Sequence, residues 1–365
     1  MTSDLSSLSD LSDFSHLHDE LRAVARDLLG KAGSGAAVDR RLIAESGWLG
    51  LEAPVSLDGA GATFAEVAVI VQEMGRAAAR SPYLGTAVLA AGALALLEPG
   101  PDRDRLLAET ASGAAVPALA LAGEGDGAAG FRLERSARGL RLHGRADFVP
   151  DAPDADHLLL PALGPDGTPV IVAAGPDTTG LSVTARPVLD DTRQFGLVTA
   201  DHGVVGEECV WQFRGDSEAA FRRLLYRAAT AVACDSLGLS EAMLDATVAY
   251  AGVRSQFDRP IGSFQAVKHA CADMLVQVSV SRRLVSAAVQ ALCADGPQVG
   301  VAVSMAKSYA GGAAVDITGK AMQLHGGMGY TWESGIHVYL KRAALNRSLF
   351  GSPAAHRRRI AERYR

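Results

Sequence analysis

Arg254-Ser255-Gln256-Phe257-Asp258-Arg259-Pro260-Ile261-Gly262-Ser263-Phe264-Gln265 interrupts a long run of helical periodicity and decides how the second half of the chain is read. Residues 218–252 before it and 264–294 after it carry apolar side chains at helical spacing. Pro260 breaks the path between them, and Gly296-Pro297 ends the second helix. Residues 297–324 and 335–349 continue the pattern. Long helices joined by short connections predict an up-down four-helix bundle. Arg254, ending the first helix, is placed to aim a planar fork of donors at a phosphate, and Phe257 to lie against a ring. The same residues also read as a helix-to-helix turn with solvated charges.

A second candidate closes the third helix: Gln323-Leu324-His325-Gly326-Gly327-Met328-Gly329-Tyr330. Glycines crowded after a helix let a ligand approach the backbone closely. A glycine-rich helix end gives the same string, and a lone glycine cluster identifies no nucleotide site.

Towards the N-terminus the period changes twice. Residues 115–214 hold short β-prone runs between Gly, Pro and Asp: Val116–Leu121, Gly139–Phe148, His157–Leu163, Val170–Ala174, Leu181–Ala185 and Val204–Phe213. That spacing predicts a small antiparallel β domain. Residues 1–114 read as helical. Leu17, Leu21, Val24, Leu28 and Leu29 mark a helix from His16 to Leu29, with Gly30 as its left-handed stop. Thr63-Phe64-Ala65-Glu66 has the form of a capping box, and the apolar run it opens ends at Gly75. Pro82 suits the first position of another helix, and Gly59-Ala60-Gly61 is a loop. The expectation is an α+β chain of three domains, 1–114 helical, 115–214 β and 215–365 bundle.

Composition narrows the function. At 365 residues, 48% hydrophobic and 21% charged, the chain has material for a large core and is neither disordered nor a disulfide-stapled mini-protein. A net charge of −6 gives no basic field for nucleic acid. The longest apolar run, Leu84–Leu97, is short of the ~18–20 residues that span a bilayer. The first residues carry Asp4, Asp10 and Asp13 without a basic cluster, against a signal peptide. Cys209, Cys234, Cys271 and Cys293 are widely spaced and read as buried free thiols in a reducing compartment. A cytoplasmic protein without nucleic-acid, membrane or metal partners is expected.

Taken together, RxQFxRPIGSFQxxKHxxADM and the later QxHGGxGYTxE resemble the carboxy-terminal domain of the acyl-CoA dehydrogenase family. Gly47-Trp48-Leu49-Gly50-Leu51-Glu52-Ala53-Pro54, Gly59-Ala60-Gly61-Ala62-Thr63 and Pro82-Tyr83-Leu84 resemble its amino-terminal domain. The resemblance implies a helical domain, a β domain and a four-helix bundle, with FAD between the last two and its ADP end reaching a neighbouring subunit. It implies α,β-dehydrogenation of an acyl-CoA: a glutamate removes the α-proton, hydride leaves for the flavin, and electrons pass to an electron-transfer flavoprotein. It places Arg254 on the FAD pyrophosphate and Phe257, Gln323, Gly326 and Gly327 against the ADP portion, with Gln265 among the cofactor-binding residues, all in trans to FAD held by a partner.

The chain departs from that pattern where the chemistry is done. Gly351 occupies the place of the family's catalytic glutamate, and Ala228 the place of an alternative base used by some members. No catalytic residue is therefore assigned. Ala120-Leu121-Ala122-Gly123-Glu124-Gly125-Asp126-Gly127 replaces a segment that contacts the flavin ring and substrate. Ala146-Asp147-Phe148-Val149-Pro150-Asp151 replaces a ring-contacting strand, leaving Phe148 as an aromatic to stack nearby. Contacts within one subunit are degraded while contacts in trans are kept. This resembles the degenerate subunits of actinobacterial heterotetrameric steroid side-chain dehydrogenases, whose partner is a base-bearing homologue.

Two alternatives stay open: a self-sufficient homodimer that recruits Glu124, Asp147, Asp151 or Asp245 as base, and a flavin-free structural homologue. Among the other polar residues, His325 reads as packing, Arg357-Arg358-Arg359 as a solvated helix face, and Asp235, Glu241 and Asp245 as bundle surface or interface. Met322 and Met328 read as packing.

Overall fold

The computed structural model, which describes residues 6–31, 33–122, 129–136 and 139–363, begins with helix α1 (Ser6–Gly30). Its buried stripe runs through Ala25 and Leu29, with Leu21 and Leu28 half-buried, while Leu17 and Val24 face outward. Gly30 is the last helical residue rather than a left-handed stop; Gly33, at φ +83°, makes the turn instead. Helix α2 (Arg40–Glu45) follows.

Helix α3 (Phe64–Arg76) starts at the expected box: Thr63 Oγ1 accepts from Ala65 N–H and Glu66 accepts from Thr63 N–H. It runs past Gly75, whose missing side chain serves packing rather than termination. A Cβ there would overlap the Asp235 carbonyl. Pro82 precedes a π-helical turn (Leu84–Ala90) that continues into α4 (Ala91–Ala95), before α5 (Pro101–Ala111).

The middle of the chain is one sheet. Its strands are β1 (Pro117–Leu119), β2 (Phe131–Ser136), β3 (Gly139–Pro150), β4 (His157–Leu163), β5 (Pro169–Ala174), β6 (Leu181–Ala185), β7 (Phe195–Val205) and β8 (Val210–Gln212). They lie in the order β6-β7-β3-β2-β4-β5-β8, with β1 beside β4. The expectation of an antiparallel sheet needs correction, because β1 and β2 each pair with β4 in parallel. The expected Val204–Phe213 strand is really the end of β7 plus β8, separated by a turn at Glu207–Cys209. Most of β7 escapes a sequence reading because Gly196 and Asp201-His202-Gly203 look like turn residues. The strand absorbs them, His202 taking φ +52°.

The C-terminal part is helical: α6 (Ser217–Val253), α7 (Gln265–Ala294), α8 (Val299–Leu324), α9 (Ile336–Ser348) and α10 (Pro353–Glu362). Helices α6, α7 and α8 pack on one another and α9 packs on α8, as a bundle requires. Between α6 and α7 lies a two-stranded hairpin, β9 (Ser255–Gln256) and β10 (Arg259–Pro260).

Helix α3 crosses α6 at close range. Gly75 lies against the Asp235 carbonyl, and a Cβ on Gly238 would overlap the Gln72 carbonyl, so each helix supplies a glycine at the crossing. The crossing sets Asp235 at the centre of the molecule, 1% exposed. Of its two readings, bundle surface or interface, this excludes the first. Its carboxylate accepts from Arg342 Nε at 3.0 Å, from Asn346 Nδ2 at 2.6 Å and from Arg193 at 2.9 Å. Arg342 also donates to the Ala79 carbonyl and to Thr192 Oγ1. Bundle, sheet and N-terminal helices thus meet on one ion cluster. Burial alone would raise the Asp235 carboxyl, but Arg342 and Arg193 outweigh it and hold it at about 2.

Removing the anion takes from two buried guanidinium groups the carboxylate that pairs with both. Asp235→Ala is expected to cost about 3–5 kcal/mol in urea unfolding, with Asp235→Asn less harmful. A loss below about 1 kcal/mol would remove the cluster from that role.

Candidate functional site

The two sequence motifs meet at one end of the bundle. Tyr250, a turn before the end of α6, stacks on His325 at the end of α8 with ring centroids 4.3 Å apart. Its hydroxyl donates to the His325 carbonyl at 3.4 Å, and His325 Nδ1 lies 2.8 Å from the Ala321 carbonyl. His325 is therefore a packing residue. Beyond this contact, the Arg254 carbonyl accepts from Ile261 N–H at 2.7 Å, which closes the hairpin at its root.

Arg254, Phe257, Gln265 and Gln323 are all exposed, Phe257 by 85%. Gly326, at φ +59°, is explained by the helix end it makes. Gly327 is not explained in this way: a Cβ there would meet nothing within 4 Å. Gly329 is the glycine that packing requires, because its Cβ would overlap the Met322 carbonyl. Met322 is half-buried against the core, whereas Met328 is 47% exposed, so the packing reading holds for the first and not the second. Outward-facing donors, an aromatic face and open backbone form a set that fits the diphosphate end of a dinucleotide.

The strand that resembles a ring-contacting one makes contacts within the chain. Asp147 pairs with Arg186 at 3.0 Å and accepts from Phe148 N–H at 2.9 Å. Phe148, at φ +52°, is half-buried and makes a T-shaped contact with Phe195, ring centroids 6.3 Å apart. Val149 is fully buried. Glu124 and Asp126 lie outside the described residues.

Both expected base positions are closed. Ala228 is fully buried. Beside it, Arg227 donates to Glu52 and to the Val88 carbonyl, and a Cβ on Gly92 would overlap the Arg227 guanidinium. Helix α6 thus lies tightly on the Leu84–Ala95 segment. Gly351 stands at φ +107°, and a Cβ there would come within 2.7 Å of His356 Nε2. Its carbonyl accepts from Lys307 Nζ at 2.8 Å, and the same amine donates to the Arg347 carbonyl at 3.3 Å. Burial pushes the Lys307 amine down to about 7, with Arg359 adding to the shift. Burial, then Lys307, takes His356 down to about 4. A neutral His356 with its proton on Nε2 donates to the Phe350 carbonyl at 3.1 Å.

This basic cluster was missed in the sequence. Its one signal is a lysine on the buried face of α8, in register with Val303, Ala310 and Ala314.

Of the acids left open as relocated bases, Asp245 pairs with Arg76 and is largely exposed. Asp151 is different. It is buried at φ +59°, accepts from Gly85 N–H at 2.8 Å, and is pushed by burial up to about 7 against the opposing pull of that N–H and Arg193. The free thiols also differ from expectation: Cys234 is buried, Cys209 and Cys271 are partly exposed and Cys293 is exposed. A cavity of about 680 Å³ lies elsewhere, between α1 and α3 on one side and α6 and α7 on the other. Its rim charges are paired, Arg76 with Asp245 and Arg282 with Glu241, and it touches neither motif. No described helix is long and apolar enough to cross a membrane.

The acyl-CoA dehydrogenase N-terminal domain matches residues 17–114, and the C-terminal domain of the same family matches residues 218–365. Acyl-CoA dehydrogenase IpdE2 of Mycobacterium tuberculosis is 31% identical, over 93% of this chain and 90% of the relative. The solved ChsE4-ChsE5 complex from Mycobacterium tuberculosis is 26% identical with a TM-score of 0.85, covering 95% of this chain and 96% of that one. The solved Tcur3481-Tcur3483 steroid ACAD is 29% identical with a TM-score of 0.83, covering 95% and 97%.

Two variants probe the closed positions. An Asp151 carboxyl at about 7 in the folded chain, against 3.8 ordinarily, binds its proton more tightly when folded. Its contribution to stability is complete below the ordinary carboxylate range and is lost as pH rises through about 7. Asp151→Asn is expected to be more stable than wild type at pH 8, with the gap narrowing as pH falls and closing only near the ordinary carboxylate range, in thermal melts. Gly351→Glu forces a side chain into the left-handed region and onto His356, and is expected to lose about 1–3 kcal/mol. Unchanged denaturation midpoints would contradict the closure of this turn.

Proposed function

The chain belongs to the acyl-CoA dehydrogenase family of FAD-dependent oxidoreductases acting on acyl-CoA, and we propose that it serves there as the base-less subunit of a heteromeric complex. A base-bearing homologue would hold the flavin ring and take the α-proton; this chain would complete the FAD pocket in trans. One contrast supports the reading. The residues that face outward at Arg254–Gln265 and Gln323–Gly327 are exposed, while Ala228, Gly351 and the strand around Phe148 are engaged within the chain.

FAD, when bound, supplies the acceptor for the hydride that leaves the β-carbon of the thioester. This chain's share is positioning. Arg254 would donate to the pyrophosphate, Phe257 and Gln323 would meet the ADP portion, Gln265 would add a donor at the start of α7, and Gly326 and Gly327 would admit the ligand to the backbone. The substrate class is a bulky, steroid-type acyl-CoA, and the electrons pass to an electron-transfer flavoprotein in the cytoplasm. A steroid ACAD and a complex of two named chains among the similar solved structures favour this finer reading.

One observation favours the rival, a self-sufficient homodimer. Asp151 is a buried carboxyl with its proton affinity raised, as a base would need. The two readings separate in a flavin absorbance spectrum near 450 nm, taken on the chain alone and co-purified with its closest encoded homologue. Flavin only in the co-purified sample, bleached by an acyl-CoA, is the expected result. Stoichiometric flavin that bleaches in the lone chain, with the bleaching abolished by Asp151→Asn, would establish the rival. In the co-purified complex, Arg254→Ala removes a hydrogen bond to a charged group, and a roughly 10- to 100-fold loss of FAD affinity is expected.

A further inference from the structure

The hairpin that carries Phe257 is built on an unfavourable turn. Gln256 pairs with Arg259, so Phe257 and Asp258 are the two loop residues, and both have positive φ, +53° and +61°. Hairpins with this pattern take asparagine and glycine, because a Cβ in that region meets its own backbone. A bulky aromatic there is an outlier, and an outlier persists only where its surroundings hold it. The tip itself is exposed, so burial does not do the holding.

Phe264 does. Its ring meets Phe257 edge-on with centroids 6.2 Å apart, and the Arg259 guanidinium lies over it at 4.0 Å from the centroid. Phe264 is also the residue immediately before α7, and its ring is half-buried, so the tip is held by a side chain anchored at the start of that helix. Lysine can keep the charge over the ring; alanine cannot.

We propose that Phe264 and Arg259 are positioning residues: their stack holds the strained Phe257-Asp258 turn in the shape that receives the ADP portion of FAD. The proposal rests on the trans-FAD reading given above. Neither residue needs to touch the ligand. Both act by preorganisation, so that the turn is not ordered at the expense of binding.

The test uses the full chain in complex with its base-bearing homologue, stripped of flavin and titrated with FAD while flavin fluorescence is followed. Arg259→Ala is expected to weaken FAD binding about 2- to 5-fold, the size of an exposed cation–π contact. Phe264→Leu loses both contacts and is expected to weaken it about 5- to 20-fold. Arg259→Lys should remain within about twofold of wild type. Asp258→Gly, which takes positive φ without strain, should restore most of the affinity lost in Arg259→Ala. In the lone chain, the Gln256–Arg259 amides should exchange faster in Arg259→Ala, with the bundle helices unchanged.

If Arg254→Ala abolishes binding while Arg259→Ala and Phe264→Leu do not weaken it, the positioning roles are overturned and the trans site stands. If Asp258→Gly fails to rescue Arg259→Ala, Arg259 acts on the ligand directly and its positioning role is overturned. If Arg254→Ala also leaves binding unchanged, the trans-FAD reading itself fails.

Discussion

Asp235 is the charge on which the three parts of this fold converge. It lies on α6, but its partners come from α9 and from the loop between β6 and β7, and Arg342 extends the contact to the Ala79 carbonyl before the π-helical turn. A carboxylate at the centre of a protein is tolerable only when its neighbours overcompensate for lost water. Here two guanidinium groups and an amide do so. The geometry depends on Gly75 and Gly238, which let α3 and α6 approach until backbone meets backbone. A side chain at either position would push the helices apart and pull Asp235 out of reach of Arg193.

That tight centre explains why the molecule divides as it does. Interior surface between the N-terminal helices, sheet and bundle is engaged by Asp235 with its partners, by the Arg227–Glu52 pair, and by Asp151 on Gly85. Each is a specific polar arrangement in a low-dielectric setting, where replacing one partner strands the other. The end of the bundle carrying Arg254 and Gln323 has no comparable arrangement. The Tyr250–His325 stack, the root of the hairpin and the Phe264 stack order it, and Arg254, Phe257 and Gln323 beyond them are exposed. An interior closed on itself and an end left open suit a chain whose ligand contacts are directed outward.

The sequence carried the helices well because their signal is periodic and long. The readings 218–252 and 264–294 fall within a residue of α6 and α7, since Pro260 and Gly296-Pro297 can only be breaks. The Thr63–Glu66 box was legible because both halves of it lie within one turn. Strand β7 was not, because its glycines and His202 sit in a bulged, twisted strand that only neighbouring strands justify. Asp235 was misread for a related reason. Its spacing from Glu241 and Asp245 looks like a solvated stripe, and the residue that contradicts this, Arg342, is 107 positions away. Within the site, the exposed motif residues could be placed from sequence, whereas the contacts that fill the base positions are long-range and could not.

The basic turn at Gly351 carries the division one step further. A carboxylate abstracts a proton from carbon effectively when an apolar, water-poor setting raises its proton affinity. The surroundings of Gly351 do the opposite. Lys307 donates to its carbonyl, His356 holds the adjoining Phe350 carbonyl, and the Arg359 guanidinium lies close by. Any acid placed there would be stabilised as an anion by these neighbours and made a weaker base. Lys307 in turn is fixed by its own task, satisfying the Arg347 carbonyl at the end of α9 as well as that of Gly351. Its amine can be buried because it has those two acceptors, and the turn can be left-handed because residue 351 has no side chain. Lysine and turn geometry are therefore coupled, and the combination leaves no room for a side chain at residue 351.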